Sequence, residues 1–154
     1  MKKRIISAIL LCLLLLTAIP NDAYAYEVSD SCDEVIHFED GCFLTISIEE
    51  YASRAASTKS GRKTYTYRDA NGVELWNAVL TASFTYTGTS STCTSASCVV
   101  TIYDSNWYEK SNTTTRSGNT ATTELTIGKK FLGVPFTTFS YTITLSCDEN
   151  GNLS

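Results

Sequence analysis

Leu75–Thr87, LWNAVLTASFTYT, decides the fold. Its even positions read Trp76, Ala78, Leu80, Ala82, Phe84 and Tyr86, and its odd positions after Leu75 read Asn77, Val79, Thr81, Ser83, Thr85 and Thr87. Successive side chains on a strand point to opposite faces, so this pattern predicts one long strand with an apolar face and a mostly hydroxyl face. The stretches after it must then supply the cover for that apolar face.

The following segments alternate in the same way. Cys98, Val100 and Ile102 interleave with Val99, Thr101 and Tyr103, after a Ser/Thr-rich run over 88–97 that reads as a loop holding Cys93. Asp104-Ser-Asn106 turns into Trp107-Tyr108 and a polar strand. Ala121, Thr123, Leu125 and Ile127 form the next apolar row, and Leu132-Gly-Val-Pro135 the next turn. Phe139, Tyr141, Ile143, Leu145 and Cys147 form the last row. Upstream, Tyr65 and Tyr67 alternate with Thr64 and Thr66, and Asp69-Ala-Asn-Gly72 turns into the long strand. Turns every ten to fifteen residues and no helical period predict an all-β protein. The expected architecture is an antiparallel, immunoglobulin-like sandwich of about six to eight strands over residues 64–154, with a closed barrel as the alternative. Twenty of the 91 residues after position 63 are threonine, which suits strand surfaces.

The N-terminus reads differently. Met1-Lys-Lys-Arg4 is a basic head, Ile5–Ile19 an apolar run of fifteen residues, and Ala23-Tyr-Ala25 a small-residue cleavage pattern. This is the pattern of a secretory signal peptide over residues 1–25, with an apolar run too short to span a bilayer comfortably. The expectation is a secreted, extracellular chain from Tyr26 that keeps no membrane segment after cleavage. That chain carries nine basic and fifteen acidic residues, a net charge of −6. Such a balance points away from nucleic acid.

The charge is uneven. Residues 26–50 hold eight acidic side chains and no Lys or Arg, and Arg54, Lys59, Arg62, Lys63 and Arg68 follow. Either both stretches are solvated, or the acidic one folds back onto the basic one. Residues 26–51 read as an acidic arm with a β-hairpin turning at Asp40-Gly41, in a register that faces Glu39 with Cys42. Residues 52–63 read as a linker, which leaves open that the arm is a removable pro-segment.

Five cysteines follow the signal peptide: Cys32, Cys42, Cys93, Cys98 and Cys147. Outside the cell cysteines usually pair, and an odd count leaves one over. Cys147 continues the apolar row of the last strand, and joining it to Cys93 would close a loop of roughly 55 residues, worth about 4 kcal/mol in the chain-entropy model. Cys98 competes for Cys147, or pairs with Cys32 or Cys42, so that Cys32, Cys42 and Cys98 hold a second disulfide or a free thiol.

Candidate chemistry is sparse. His37 is the single histidine, so a Ser–His–Asp or Cys–His arrangement hangs on one residue of the arm. Zinc-type ligand spacing is missing, because Cys93-x4-Cys98 has no second pair beside it. Asp69-Ala-Asn71-Gly72 and Asp148-Glu-Asn150-Gly151 echo the start of a calcium loop but lack its distal glutamate, and they suit β-turns better. Glu74, Asp104, Glu109 and Glu124 offer no evident facing pair for glycoside hydrolysis. Threonine ladders at Thr120, Thr122, Thr126, Thr142 and Thr144 are spaced too irregularly for an ice-binding array. Tyr65, Tyr67, Trp107 and Tyr108 are either core or ligand-contacting aromatics. No catalytic, metal or cofactor site is expected. The expected function is binding without catalysis, to another protein or a surface glycan. The alternative is a secreted toxin or bacteriocin-like effector released from its acidic pro-segment.

The arrangement Asn71-Gly72-x-x-Leu75-Trp76, Phe84-x-Tyr86-x-Gly88-x-x-x-x-Cys93, Asp104-x-x-Trp107 and Cys147-Asp-x-Asn-Gly-x-Leu-Ser154 resembles a group of short secreted proteins of Gram-positive bacteria. The resemblance covers residues 64–154. It implies a secreted, disulfide-bearing β-domain with Cys93 and Cys147 at the group's cysteine positions, and it implies no activity.

Overall fold

The computed structural model describes residues 32–51 and 57–154, with only the backbone of Cys32 and Asp33. The predicted signal peptide, Tyr26–Ser31 of the arm and residues 52–56 lie outside the described residues. Eight antiparallel strands run in chain order: β1 Cys32–His37, β2 Phe43–Tyr51, β3 Thr58–Arg68, β4 Glu74–Tyr86, β5 Ser91–Ile102, β6 Trp107–Ser117, β7 Thr120–Phe131 and β8 Val134–Ser146. They form two sheets, β1-β2-β3-β4-β5 and β6-β7-β8, with neighbours in sequence paired throughout. The expected sandwich is present, and each of its sheets is a meander.

β4 is the centre of the core. Trp76, Ala78, Leu80, Ala82 and Phe84 are buried on one face, as the alternation requires. Leu125 and Ile127 of β7 and Ile143 and Leu145 of β8 share that core from the second sheet. Each large aliphatic or aromatic side chain fully buried here contributes about 1.5–3 kcal/mol. At one end the core is aromatic: Tyr67 stacks on Trp76 at 5.5 Å with planes 6° apart, and Trp107 lies 5.2 Å from Tyr67.

Three expectations need correction. Residues 58–63, expected as linker, form the first half of β3. Their polar composition reads as loop, yet they pair with β2 over Tyr51↔Ser60 to Ile48↔Lys63, and opposite charges face each other across the pair. Arg62 Nη2 meets Glu49 Oε2 at 2.7 Å, and Lys59 pairs with Glu50. The acidic arm and the basic stretch are therefore neighbours in one sheet. β2 also places Leu44 and Ile46 in the core, so the division between arm and domain at 52–63 does not divide the fold.

The β1–β2 hairpin exists with a different register. Phe38, not Glu39, faces Cys42, with Phe38 N–H donating to Cys42 O at 2.9 Å. Glu39, Asp40 and Gly41 form a three-residue loop, and Gly41 takes φ 81°, the left-handed residue that such loops need. Finally, β5 begins at Ser91, so Cys93 is a strand residue opposite Phe84 and the loop shrinks to Thr87–Ser90. Ser/Thr content misleads there because the hydroxyls serve the strand pair: Thr94 Oγ1 donates to Ser83 O at 3.0 Å.

The C-terminal segment straps the open end. Gly88 N–H donates to Glu149 O at 2.9 Å, Gly151 packs on Tyr86, and Leu153 fills the space a Cβ on Gly61 would take.

Candidate functional site

β-strand alternation leaves the outer face of the five-stranded sheet polar. Across strands, Thr45, Thr66, Asn77 and Thr101 stand in one row, and Ser47, Thr64, Val79 and Val99 in the next. Between β2, β3 and β4 this face holds a groove of about 490 Å³ lined by Thr45, Ser47, Glu49, Arg62, Thr64, Thr66, Arg68, Glu74, Asn77 and Val79. That volume lies within the range of about 300–1,000 Å³ usual for small-ligand sites, but the lining is polar where such sites are usually apolar.

An ion pair closes each end of the groove. At one end stands Arg62–Glu49. At the other, Arg68 Nη2 lies 2.6 Å from Glu74 Oε1, and Arg68 Nη1 donates to Gly72 O at 3.2 Å. Arg62 and Arg68 are six residues apart on β3, a span of about 20 Å at the strand rise. Asn77 Nδ2 donates to Tyr103 Oη at 2.9 Å, which places the exposed Tyr103 ring beside the groove. The two arginines and two glutamates cancel in charge, so the groove offers donors and acceptors without a net field.

The aromatics expected to contact a ligand do not gather into a site. Tyr67 and Trp107 are core residues, 6% and 4% exposed. Tyr65 packs against the core from the inner face. Tyr108 lies over Gly128, with Lys130 Nζ 5.6 Å from its ring centroid. The groove has no aromatic floor. Its signal was the polar half of the alternation in β2, β3 and β4.

His37 pairs with Phe43, ring to ring at 5.7 Å, and among the described residues no hydrogen bond joins it to a serine, cysteine or carboxylate. The Asp–Asn–Gly repeats are turns. Asp69 Oδ1 accepts from Asn71 N and Val73 N at 2.9 Å, and Asp148 Oδ1 accepts from Asn150 N and Asn152 N at 2.8 Å. The Asn152 side chain adds a bond, its Nδ2 donating to Asp148 Oδ2 at 2.7 Å; that bond first at Asp148, and that of Val73 N–H first at Asp69, hold both carboxyls below the usual range. Among the described residues no group of three His, Cys, Asp or Glu side chains is placed to hold a metal. Thr120, Thr122, Thr126, Thr142 and Thr144 do share the outer face of the second sheet, interrupted by Glu124, which accepts from Thr142 Oγ1 at 3.0 Å.

The expected Cys93–Cys147 disulfide is not formed. Cys42, Cys93, Cys98 and Cys147 are all thiols. Cys93 and Cys147 both reach the β6–β7 turn, their N–H groups donating to Gly118 O and Asn119 O. Their sulfurs, however, are directed at the carbonyls of Ser95 and Asp148, at 3.4 and 3.5 Å. Burial pushes the Cys93 and Cys98 thiols above their ordinary pKa. Cys32 stands opposite Ser47, five residues and about 17 Å along the strand from Cys42, far beyond the Cα separation of a disulfide.

The chain matches no family model, no curated protein and no solved structure.

Proposed function

We propose that this is a secreted, non-enzymatic binding protein that holds a surface glycan chain in the groove across β2, β3 and β4. The observation that carries the proposal is the groove's lining. A sugar presents hydroxyls that both donate and accept, and the walls supply both in turn: carboxylates at Glu49 and Glu74, guanidinium and amide donors at Arg62, Arg68 and Asn77, and hydroxyls between them. Zero net charge disfavours an anionic ligand, and Val79 is the one aliphatic side chain in the lining. A length of about 20 Å suits several linked sugar rings lying along the strands, with Tyr103 offering a ring face at the rim.

The apolar leader and cleavage pattern of residues 1–25 support secretion. The core contribution of Leu44 and Ile46 supports residues 32–51 as a lasting part of the fold, in preference to a pro-segment.

The test is co-sedimentation with insoluble cell-wall polysaccharide, comparing the native chain with a Thr64→Val/Thr66→Val double variant. These changes remove two hydroxyls and keep side-chain volume. Loss of at least tenfold in bound protein is expected. Equal binding by both proteins, or no binding to any polysaccharide, would contradict the proposal.

A further inference from the structure

The sheet edges of the sandwich differ in how they are closed. On one side β5 and β6 lie against each other, and β6 side chains bond the β5 main chain: Asn112 Nδ2 donates to Cys98 O at 3.1 Å, and Arg116 donates to Thr94 O. On the other side β1 is six residues long and carries Asp33 and Glu34, and short, charged strands blunt an edge. β8 has none of these devices. From Thr137 to Ser146 it holds no charge, proline or glycine, and it pairs with β7 there without a bulge.

The β8 edge already takes a strand at one end. Ser146 N–H donates to Ser154 O at 2.9 Å and Ser154 N–H to Ser146 O at 3.0 Å, with Leu153 opposite Cys147. Main-chain groups alternate between the two sides of a strand, so those of Thr138, Ser140, Thr142 and Thr144 face the same way as Ser146. Among the described residues no backbone group meets them there. The free length, Thr138–Leu145, is eight residues, about 27 Å.

Beside that edge the larger sheet overhangs. β8 lies against β3 and β4, so β2 and β1 reach past it. On the core side Ile36 and Phe38 are each 38% exposed, and Phe139 of β8 is 40% exposed. Leu153 shows what fits: it packs under the larger sheet at Gly61, while Ser154 stays exposed beside Ser146.

The overhang also selects the occupant. In an antiparallel pair of two β8 strands the twofold axis stands perpendicular to the sheet, so a second copy would bring its own larger sheet into the same space. Parallel pairing would set the apolar overhang against the hydroxyl face of the other β8. A single extended segment meets neither obstacle.

We infer that the free edge of β8 binds an extended segment of another protein by strand addition, antiparallel to β8, with alternate apolar side chains under the overhang and polar ones outside. The glycan groove lies on the opposite face of the larger sheet and takes no part.

The test is fluorescence anisotropy of the full chain with a labelled synthetic peptide, acetyl-Lys-Thr-Val-Thr-Val-Ser-Val-Thr-Lys-amide, and with the same peptide N-methylated at its threonines and serine. Ser140→Pro removes an N–H that faces the free edge and no bond to β7, and unchanged circular dichroism verifies the fold. The expected result is saturable binding of the unmethylated peptide, at least tenfold weaker in Ser140→Pro and at least tenfold weaker for the methylated peptide. The peptide comparison stands even if Ser140→Pro fails to fold. Equal binding of the two peptides, or no binding of either, would overturn the inference. So would a native dimer that Ser140→Pro dissociates, which would assign the edge to a second copy.

Discussion

Arg68 grips Glu74 at 2.6 Å while its other guanidinium nitrogen reaches the Gly72 carbonyl, so one side chain ties the end of β3 to the turn that leads into β4. Both side chains are about a third exposed, and such pairs contribute at most about 1 kcal/mol. Arg68→Ala is therefore expected to lower stability by no more than about 1 kcal/mol in urea unfolding. On the glycan proposal it removes most of the binding at that end of the groove. A stability loss several times larger would show that Arg68 serves the fold first.

Tyr108 occupies the place of a side chain on Gly128. The two are cross-strand partners, and a Cβ added at Gly128 would overlap the phenol ring. Gly128→Ala should destabilise by about 1–3 kcal/mol, as overpacking does. Adding Tyr108→Ala should recover part of that loss. A double-mutant cycle reads the coupling, and strict additivity would count against the packing described.

Leu44 and Ile46 commit β2 to the core. Leu44→Ala is expected to cost about 2–5 kcal/mol, the usual range for a buried leucine. A chain beginning at residue 57 should give no cooperative thermal transition. If that shortened chain unfolds cooperatively near the native midpoint, residues 32–51 are dispensable and the pro-segment reading returns.

Stability should fall on the alkaline side. Burial pushes Tyr141 up to about 12 from 10.0, and raises Tyr65 and Tyr67 as well. Cys93 and Cys98 are raised from 9.0 for the same reason. The folded state then holds protons that the unfolded chain releases. Their contribution is complete below about pH 9 and is lost as pH rises from there toward about 12. The urea midpoint should be lower at about pH 10.5 than at about pH 7.5, and Tyr141→Phe should flatten that difference. Asp69 and Asp148, held below 3.8, work in the opposite sense: their contribution is present above that value and fades as pH falls through it.

Much of the architecture was legible in alternation. Trp76 to Phe84 faced the core as read, and the Asp–Asn–Gly turns at 69–72 and 148–151 are where their side-chain chemistry puts them. Composition failed where polar residues pair with polar residues. Lys59–Lys63 and Ser91–Ser97 look like loops until their partners, Glu49, Glu50 and the hydroxyl face of β4, are known. The register of the β1–β2 hairpin turned on one residue, set by Gly41 at positive φ. The groove escaped because its parts lie on three strands, and no single stretch of chain carries the set.

The most direct measurement is a backbone amide NMR titration of the native chain with N-acetylglucosamine and glucose oligosaccharides. The account predicts shifts confined to Thr45, Ser47, Thr64, Thr66, Asn77 and their neighbours, saturating with one of the sugars and weakened in Arg68→Ala. Titrations that leave these amides unmoved, or that shift only residues outside the groove, would contradict it.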